Sequence, residues 1–160
     1  MIELELVKKS NEKVLKNLLQ LYLHNISAYF PMPFNSESGV YDYDDISKYI
    51  EKDENSIAYF IKYEENIAGF ILLDKIEEFN IVQEMFVMNN YKRAGIGKNA
   101  VKQLFNKYHG NWEIKSLPCS EQAEKFWVSV VIEYTKNNFD VKYVGKYNRA
   151  VISFDNKDYE

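Results

Sequence analysis

Residues 91–98 read YKRAGIGK and lie between an apolar run at 81–88, IVQEMFVM, and a helix-like run at 99–108, NAVKQLFNKY. This order predicts a strand that ends near Met88 and a helix that begins near Gly95. The first N–H groups of a helix have no partner within it, and the helix dipole favours negative charge there. The stretch is therefore a candidate anion-binding turn.

The residue types in this turn suit a phosphate. Gly95 and Gly97 carry no side chain that would block the close approach of a pyrophosphate. Lys92, Arg93 and Lys98 add positive charge around the same turn. An isolated Gly-x-Gly is also common in turns that bind nothing, so the neighbouring elements have to decide between the two interpretations.

Two well-known phosphate motifs fit the stretch poorly. The P-loop pattern GxxxxGK[ST] does not occur in the chain. GIGKNA matches the dinucleotide pattern GxGxxA, but that fold needs the strand to lead directly into the first glycine and an acidic residue to end the next strand. Here NNYKRA intervenes, and Glu113 lies at the start of its strand.

The elements before the turn predict an antiparallel sheet. Residues 56–63, SIAYFIKY, and 66–75, NIAGFILLDK, are apolar, β-branched and aromatic, and the polar residues between them predict a hairpin. The run at 81–88 adds a third strand. An antiparallel hairpin argues against a βαβ unit, which needs parallel strands and a crossover helix.

The first part of the chain predicts one long helix and one short helix. Ser10 or Asn11 can cap a helix that runs to about Ile26. Its apolar face recurs at helical spacing and comprises Val14, Leu15, Leu18, Leu19, Tyr22 and Ile26. Residues 29–45 then form a loop with two prolines, and ISKYIEK at 46–52 predicts a short helix.

The remainder of the chain predicts helix, strand, helix and two strands. The helix after the turn should stop at HGN, where Gly110 suits a left-handed C-terminal cap. WEIKSLP at 112–118 predicts a buried strand, and Ser120 is a candidate N-cap for the last helix. Two strands follow, near 139–147 and 149–155.

Size and composition narrow the class of protein. A chain of 160 residues with one cysteine fits one domain, without an internal disulfide or a multi-cysteine metal site. The 20 Lys and Arg against 24 Asp and Glu give a net charge of −4, which disfavours general nucleic-acid binding. No run approaches the roughly 18 apolar residues of a membrane span. We expect a cytoplasmic protein that binds neither nucleic acid, membrane nor metal.

With this element order, the turn resembles that of the GNAT superfamily of N-acetyltransferases. In that family a strand similar to EMFVM leads through a loop to [QR]xxGxG and a helix, and residues 92–97, KRAGIG, occupy that motif here. Lys92 replaces the usual Gln or Arg, which keeps the charge of arginine but loses its bidentate geometry. The resemblance covers most of the chain.

The resemblance implies both a fold and an activity. The fold is a GNAT-like α/β (α+β) domain over residues 1–160, with a mixed, mostly antiparallel sheet of about six to seven strands flanked by helices. The activity is transfer of an acetyl group from acetyl-CoA to a primary amine of a small molecule or protein, by a monomer or homodimer. The alternative is a GNAT-fold module that binds acyl-CoA or a partner without catalysis.

The resemblance also implies which residues bind the cofactor, with the pantetheine on the strand and the pyrophosphate on the turn. These residues are Phe86, Val87, Lys92, Arg93, Ala94, Gly95, Ile96, Gly97, Lys98 and Ser120. Two positions in the last helix depart from the family. Ser120 stands where Asn is common, and Trp127 stands where a Tyr commonly protonates the departing thiolate. Tryptophan cannot act as a general acid.

The sequence specifies the catalytic and acceptor-binding residues less closely than the cofactor-binding turn. Glu84 is the first candidate for the general base and Tyr134 a candidate acid, although a strand Glu can face solvent and a Tyr at helical spacing is often core. Cys119 is a weaker candidate as an acetyl acceptor. The loop at 29–45 commonly borders the acceptor in this family, which makes acceptor-site candidates of Tyr29, Phe30, Phe34 and Tyr41, and of the acids Asp42, Asp44 and Asp45.

Overall fold

A computed structural model of the chain describes residues 1–44, 46–50 and 53–159. Within these residues the strands are β1 Ile2–Leu6, β2 Phe34–Asn35, β3 Val40–Tyr41, β4 Ser56–Tyr63, β5 Asn66–Ile76, β6 Phe79–Val87, β7 Asn111–Lys115, β8 Asp140–Val144 and β9 Arg149–Asp155. The helices are α1 Glu12–Ile26, α2 Ile96–Lys107 and α3 Glu121–Thr135. Short 3₁₀ turns lie at Lys9–Asn11, Ser47–Tyr49 and Asn89–Tyr91.

Seven of the strands form one mixed sheet in the order β1-β4-β5-β6-β7-β9-β8. Neighbouring strands run antiparallel except β6 and β7, which are parallel. β2 and β3 form a separate small hairpin. The sheet therefore changes from antiparallel to parallel pairing at β6, the strand that leads into the glycine turn.

The sheet is covered on both faces because its central strands alternate two sets of apolar side chains. In β4, Ala58 and Phe60 belong to the cluster that packs under α1, while Tyr59 and Ile61 belong to the cluster under α2 and α3. Fully burying a large apolar side chain such as Phe60 contributes about 1.5–3 kcal/mol. The result is a three-layer α/β/α arrangement.

A β-bulge in β6 decides which residues face which layer. Leu72 pairs with Glu84, but the next residue of β5, Leu73, pairs with Val82, so β6 carries an extra residue at Gln83. The bulge breaks the strict alternation of the strand. Val82 packs in the cluster under α2 and α3, whereas Phe86 packs in the cluster under α1 and Glu84 contacts that same layer through Tyr22.

The main predicted elements are confirmed, including the β4–β5 hairpin, the three long helices and the two closing strands. The strand count is also confirmed by the seven-stranded sheet. β1 was not predicted as a strand. It pairs with β4 through partners such as Ile2 and Tyr63, far apart in sequence.

Three local predictions need correction. Neither Ser10 nor Asn11 caps α1 with its side chain: the Ser10 hydroxyl donates to the Asn11 side chain instead, and Asn11, the N-cap residue, makes no side-chain bond to a helix N–H. Gly110 is not the cap of α2: Tyr108 ends the helix in an extended conformation, and the Gly110 N–H donates to the buried Asn156 at 2.8 Å. Of the short helix predicted at 46–52, the described residues 46–50 form a 3₁₀ turn at Ser47–Tyr49, and residues 51 and 52 lie outside the described residues.

Candidate active site

A cavity opens where β6 and β7 separate. Their described pairing ends at Val82 with Ile114, although β6 continues to Val87 alongside β5. The cavity has a volume of about 640 Å³. Its lining comes from α1, β6, the glycine turn and α3: Tyr22, Asn25, Ile26, Tyr29, Met85, Phe86, Val87, Tyr91, Lys92, Arg93, Gly95, Ile96, Gly97, Lys98, Leu117, Ser120, Gln122, Ala123, Phe126 and Trp127.

The glycine turn forms the part of the cavity that suits an anion. Gly95 is the N-cap of α2, with φ +71°, and has no side chain to cap the helix N–H groups. Arg93 also has a positive φ, +67°. Left-handed residues in such a turn direct backbone N–H groups into a concave anion site. Lys92 and Lys98, which line the same cavity, add positive charge.

Gly97 lets the N-terminus of α2 lie directly on β6. A Cβ at this position would come within 3.1 Å of Met85 Cε and 3.4 Å of Val87 Cγ2. A side chain at position 97 would therefore be tight against β6, and the end of the Met85 side chain would have to shift by a few tenths of an ångström to admit it. This contact fixes the anion-binding turn relative to the unpaired part of β6.

The Glu84 carboxylate lies on β6 in a half-buried position between two phenols. The Tyr22 hydroxyl donates a short hydrogen bond to Glu84 Oε2, and the Tyr43 hydroxyl donates to Oε1 at 3.3 Å. Burial raises the pKa of Glu84 above its ordinary value of 4.5, and the two hydroxyls offset part of that rise because they stabilise the charged form. A carboxylate in this setting can accept a proton.

Tyr22 connects this carboxylate to the cavity. Its ring packs edge-on against Phe70 and at an angle against Phe86, with both centroid distances 5.9 Å. The sequence pattern places Tyr22 on the apolar face of α1 and does not indicate its contact with Glu84, 62 residues away. A polar tip on an otherwise apolar helix face was the one signal that the sequence offered.

Arg149 adds a positive charge near the same carboxylate. Its Nε donates to Ser116 O at 2.6 Å and its Nη2 donates to Lys115 O at 3.3 Å, where the chain leaves β7. The guanidinium also acts to lower the pKa of Glu84 through its charge, against the larger effect of burial. Arg149 therefore holds the end of β7 on the side of the cavity opposite β6.

The structure brings most of the predicted cofactor residues to this one cavity. Nine of the ten line it, and Ala94 does not. Ser120 is the N-cap of α3, where its hydroxyl oxygen accepts a hydrogen bond from the Ala123 N–H at 3.2 Å. Trp127, in the same helix, lines the cavity with a side chain that can only donate.

Other candidates lie away from the cavity. Tyr134 packs in the core against Phe105 and Phe154, and its hydroxyl accepts a hydrogen bond from Asn156 at 3.3 Å. Cys119 is an exposed free thiol just before α3 and does not line the cavity. Neither residue is brought to the region of Glu84.

The predicted acceptor residues are split by the structure. Tyr29 lines the cavity, whereas Phe34 and Tyr41 pack on each other in the β2–β3 hairpin, 5.1 Å between ring centroids. Phe30 packs against Tyr147 at 5.2 Å. The acids Asp42 and Asp44 are exposed in the loop that follows the hairpin, and Asp45 lies outside the described residues.

The sequence model of the acetyltransferase (GNAT) family matches residues 19–130. The chain belongs to the GNAT acetyltransferase family. It is an acyltransferase, and acetyl-CoA is its acyl donor. The matched region contains the Glu84 carboxylate, the glycine turn and most of α3.

Solved structures show the same fold. An acetyltransferase from Thermus thermophilus matches with a TM-score of 0.73 and 12% identity, over 97% of each chain. The PaiA N-acetyltransferase from Thermoplasma acidophilum, in complex with coenzyme A, matches with a TM-score of 0.59 and 12% identity, over 97% of this chain and 99% of that one. A GNAT acetyltransferase from Streptococcus pneumoniae matches with a TM-score of 0.57 and 12% identity, over 96% of this chain and 98% of that one.

None of the curated proteins matches this chain significantly in sequence. Among the described residues, no helix has the length and apolar composition needed to cross a bilayer. The same residues bring together no group of three His, Cys, Asp or Glu side chains suited to holding a metal ion.

Proposed function

We propose that this protein is an N-acetyltransferase that transfers the acetyl group of acetyl-CoA to a primary amine of a small molecule or protein. The observation that carries the proposal is the half-buried Glu84 carboxylate, hydrogen-bonded to a tyrosine that lines the cavity. Family membership supplies the donor, and this carboxylate supplies the group that an amine acceptor requires.

At the donor end of the cavity, the pyrophosphate of acetyl-CoA would lie on the glycine turn. The turn offers uncapped helix N–H groups and three basic side chains, Lys92, Arg93 and Lys98. The unpaired edge of β6 near Phe86 and Val87 would hold the pantetheine and donate to the thioester carbonyl, which stabilises developing negative charge. The PaiA enzyme, which shares this fold, is in complex with coenzyme A, which supports binding of this cofactor by the same fold here.

At the acceptor end, Glu84 would serve as the general base. An amine is mostly protonated at neutral pH and has to lose protons as it forms an amide. Burial raises the pKa of Glu84, which makes this carboxylate a stronger base than an exposed one. The exposed acids Asp42 and Asp44 would attract a cationic acceptor before it reaches Glu84.

A thiol-release assay with a broad panel of primary amines tests this function. We expect coenzyme A release that depends on the amine, and a fall of about 100-fold in kcat for Glu84→Gln, typical of the loss of a general base. The matched control is Glu113→Gln, on the neighbouring strand β7, which should change kcat by less than about twofold.

The assay also separates catalysis from binding alone. If acetyl-CoA binds but no amine releases coenzyme A above background, the chain is a GNAT-fold binding module, which is the alternative that the sequence left open. If amines are acetylated and Glu84→Gln keeps the wild-type kcat, the assignment of Glu84 as the base is wrong.

A further inference from the structure

We propose that the Tyr22 hydroxyl is the proton relay of this enzyme, carrying a proton from the acceptor amine to Glu84 and then from Glu84 to the sulfur of departing coenzyme A. The inference rests on the proposed function and assigns it a second catalytic residue. Nothing in the local sequence around Tyr22 indicates this role. The contacts of its hydroxyl and its position on the cavity wall do.

Tyr22 lies between the cavity and the carboxylate. Tyr22 lines the cavity, whereas Glu84 is not among the lining residues. The shortest connection between them is the hydrogen bond from the Tyr22 hydroxyl to Glu84 Oε2. Tyr43 bonds the other carboxylate oxygen, but it does not line the cavity. Among the described residues that line the cavity, Tyr22 is the one hydrogen-bonded to Glu84, so its hydroxyl offers a direct path for a proton between the cavity and the carboxylate.

The protonation state of Tyr22 suits a relay. Burial raises its pKa well above 10, and the nearby negative charge of Glu84 raises the pKa further. Tyr22 is thus a neutral phenol that gives its hydrogen to Glu84. The lone pairs of its oxygen are then free to accept a hydrogen bond from an amine in the cavity.

The phenol is also held rigidly. The Tyr22 ring packs against the rings of Phe70 and Phe86, each at 5.9 Å between centroids, and these two rings also pack against each other. Both phenylalanines belong to the core cluster under α1. A relay needs a well-positioned hydroxyl, and this packing together with the hydrogen bond to Glu84 positions the Tyr22 oxygen.

The proton balance of the reaction needs such a relay. A neutral amine attacks the thioester carbon, so an N–C bond forms and the C–S bond breaks. The nitrogen loses a proton to the Tyr22 oxygen while the Tyr22 hydrogen moves to Glu84. The two transfers then reverse: Glu84 returns a proton to Tyr22, and Tyr22 gives one to the thiolate sulfur. Tyr22 and Glu84 end unchanged, and the proton first lost by the ammonium goes to solvent.

Transfer of a proton from Glu84 through Tyr22 to the thiolate sulfur is favourable. A carboxylic acid ordinarily titrates about 4 pH units below a thiol, so a protonated Glu84 is the stronger acid, although burial narrows that gap. Tyr22 alone would be a poor acid because its own pKa is raised. Coupling to Glu84 is what makes it able to protonate the sulfur.

Other hydroxyls on the cavity wall are less suited to this role. Among the described residues, Tyr91 packs edge-on against Tyr63 beside the glycine turn, and Tyr29 is exposed to solvent. The Ser120 oxygen accepts the Ala123 N–H as the cap of α3. None of these three has a hydrogen bond to Glu84 in the structure.

The test compares Tyr22→Phe with Tyr43→Phe, since each removes one hydroxyl that donates to Glu84. We expect Tyr22→Phe to lower kcat with acetyl-CoA by about 100-fold and to leave KM for acetyl-CoA within about threefold. Tyr43→Phe should lower kcat by less than about fivefold. The double variant Tyr22→Phe with Glu84→Gln should be no slower than the slower single variant, because groups that act as a unit are not additive.

A second acyl donor separates a relay from a purely structural role. p-Nitrophenyl acetate releases a phenolate that needs no proton to leave, so the loss caused by Tyr22→Phe should shrink to about 10-fold with this donor. Equal losses with both donors would show that Tyr22 only orients Glu84, and would overturn the relay.

The remaining outcomes are also distinct. If the wild type acetylates amines and Tyr22→Phe keeps more than a third of its kcat, the relay is wrong and the proposed function stands. If the wild type acetylates no amine at all, the proposed function fails and the relay fails with it. Circular dichroism and thermal melting of each variant show whether a loss comes from unfolding instead.

Discussion

At the scale of single residues, the half-buried Glu84 carboxylate makes the folded protein less stable at neutral pH. Burial raises its pKa above 4.5, so the folded chain holds the Glu84 proton more tightly than the unfolded chain does. As the pH rises from 4.5 to the raised pKa, the unfolded chain releases this proton first, which favours unfolding. Above that window the ionised carboxylate lowers the free energy of unfolding.

Glu84→Gln should therefore raise the melting temperature at pH 7 while it lowers kcat. The gain should disappear as the pH falls below 4.5, where the carboxyl is neutral in both states. Thermal melts across this pH range measure it, with Glu3→Gln, an exposed residue of β1, as the control that should change little. A Glu84→Gln protein less stable than wild type at pH 7 would show that the ionised carboxylate stabilises the fold instead.

The sequence could identify residues of the site that act through the backbone, but not those that act through contacts between distant elements. Gly95 and Gly97 belong to a local pattern, and the structure places both on the cavity. Glu84 could be named but not oriented, because the bulge at Gln83 that turns it towards Tyr22 has no local signature. Tyr22 looked like a core residue.

Gly69, which is not a catalytic candidate, is another residue whose role the sequence does not reveal. It occurs in an ordinary-looking apolar strand, yet a Cβ there would lie 1.9 Å from the Phe86 carbonyl oxygen across the β5–β6 pair. Glycine is required because two backbones approach closely beside the cavity. A sequence shows that a glycine is present, but the partner that excludes a side chain comes from the tertiary fold.

At the scale of elements, α2 and α3 are joined beside the cavity by an ion cluster. Lys98 Nζ lies 2.9 Å from Glu133 Oε2, and Lys102 bonds the other oxygen of Glu133. Hydrogen bonds from Lys102 and then Lys98 lower the pKa of Glu133 to about 2. The carboxylate is exposed, so solvent screens the pair and its contribution to stability is small.

We expect the ion cluster to affect cofactor binding more than it affects stability. Lys98 lines the cavity, and Glu133 partly neutralises it and directs its ammonium towards α3. We expect Glu133→Gln to lower the Kd for acetyl-CoA by about threefold, because a negative charge near an anionic ligand is removed. Isothermal titration calorimetry measures this, with Glu78→Gln, an exposed residue in the turn between β5 and β6, as the control. A weaker affinity in Glu133→Gln would show that Glu133 positions Lys98 for the ligand.

Elements were predictable where their signals were local. The β4–β5 hairpin, α2 and α3 each have a periodic apolar pattern, and Ser120 caps α3 as expected. β1 was missed because its partner is β4, and an edge strand with two glutamates has too little apolar pattern of its own. In the segment predicted as a short helix, the described residues 46–50 form a 3₁₀ turn, since so short a helix gains few backbone hydrogen bonds of its own.

At the scale of the whole molecule, charge is distributed unevenly. The chain carries a net charge of −4, yet the glycine turn gathers three basic residues around uncapped helix N–H groups. A highly charged cofactor is therefore attracted to one place on a protein that repels anions overall. The three-layer fold contributes by placing this turn at the end of β6, where the sheet opens to admit a ligand.

This arrangement predicts how acetyl-CoA stabilises the protein. At about 100 times Kd a ligand contributes about 2.7 kcal/mol, which for a chain of this size raises the melting temperature by about 5–10 °C. The rise should shrink in high salt, and in the double variant Arg93→Ala with Lys98→Ala. The control, Lys8→Ala with Lys13→Ala, makes the same charge change on exposed residues near the start of α1 and should keep the full rise. If both double variants lose the shift equally, overall charge and not the turn governs binding, and the pyrophosphate has to lie elsewhere.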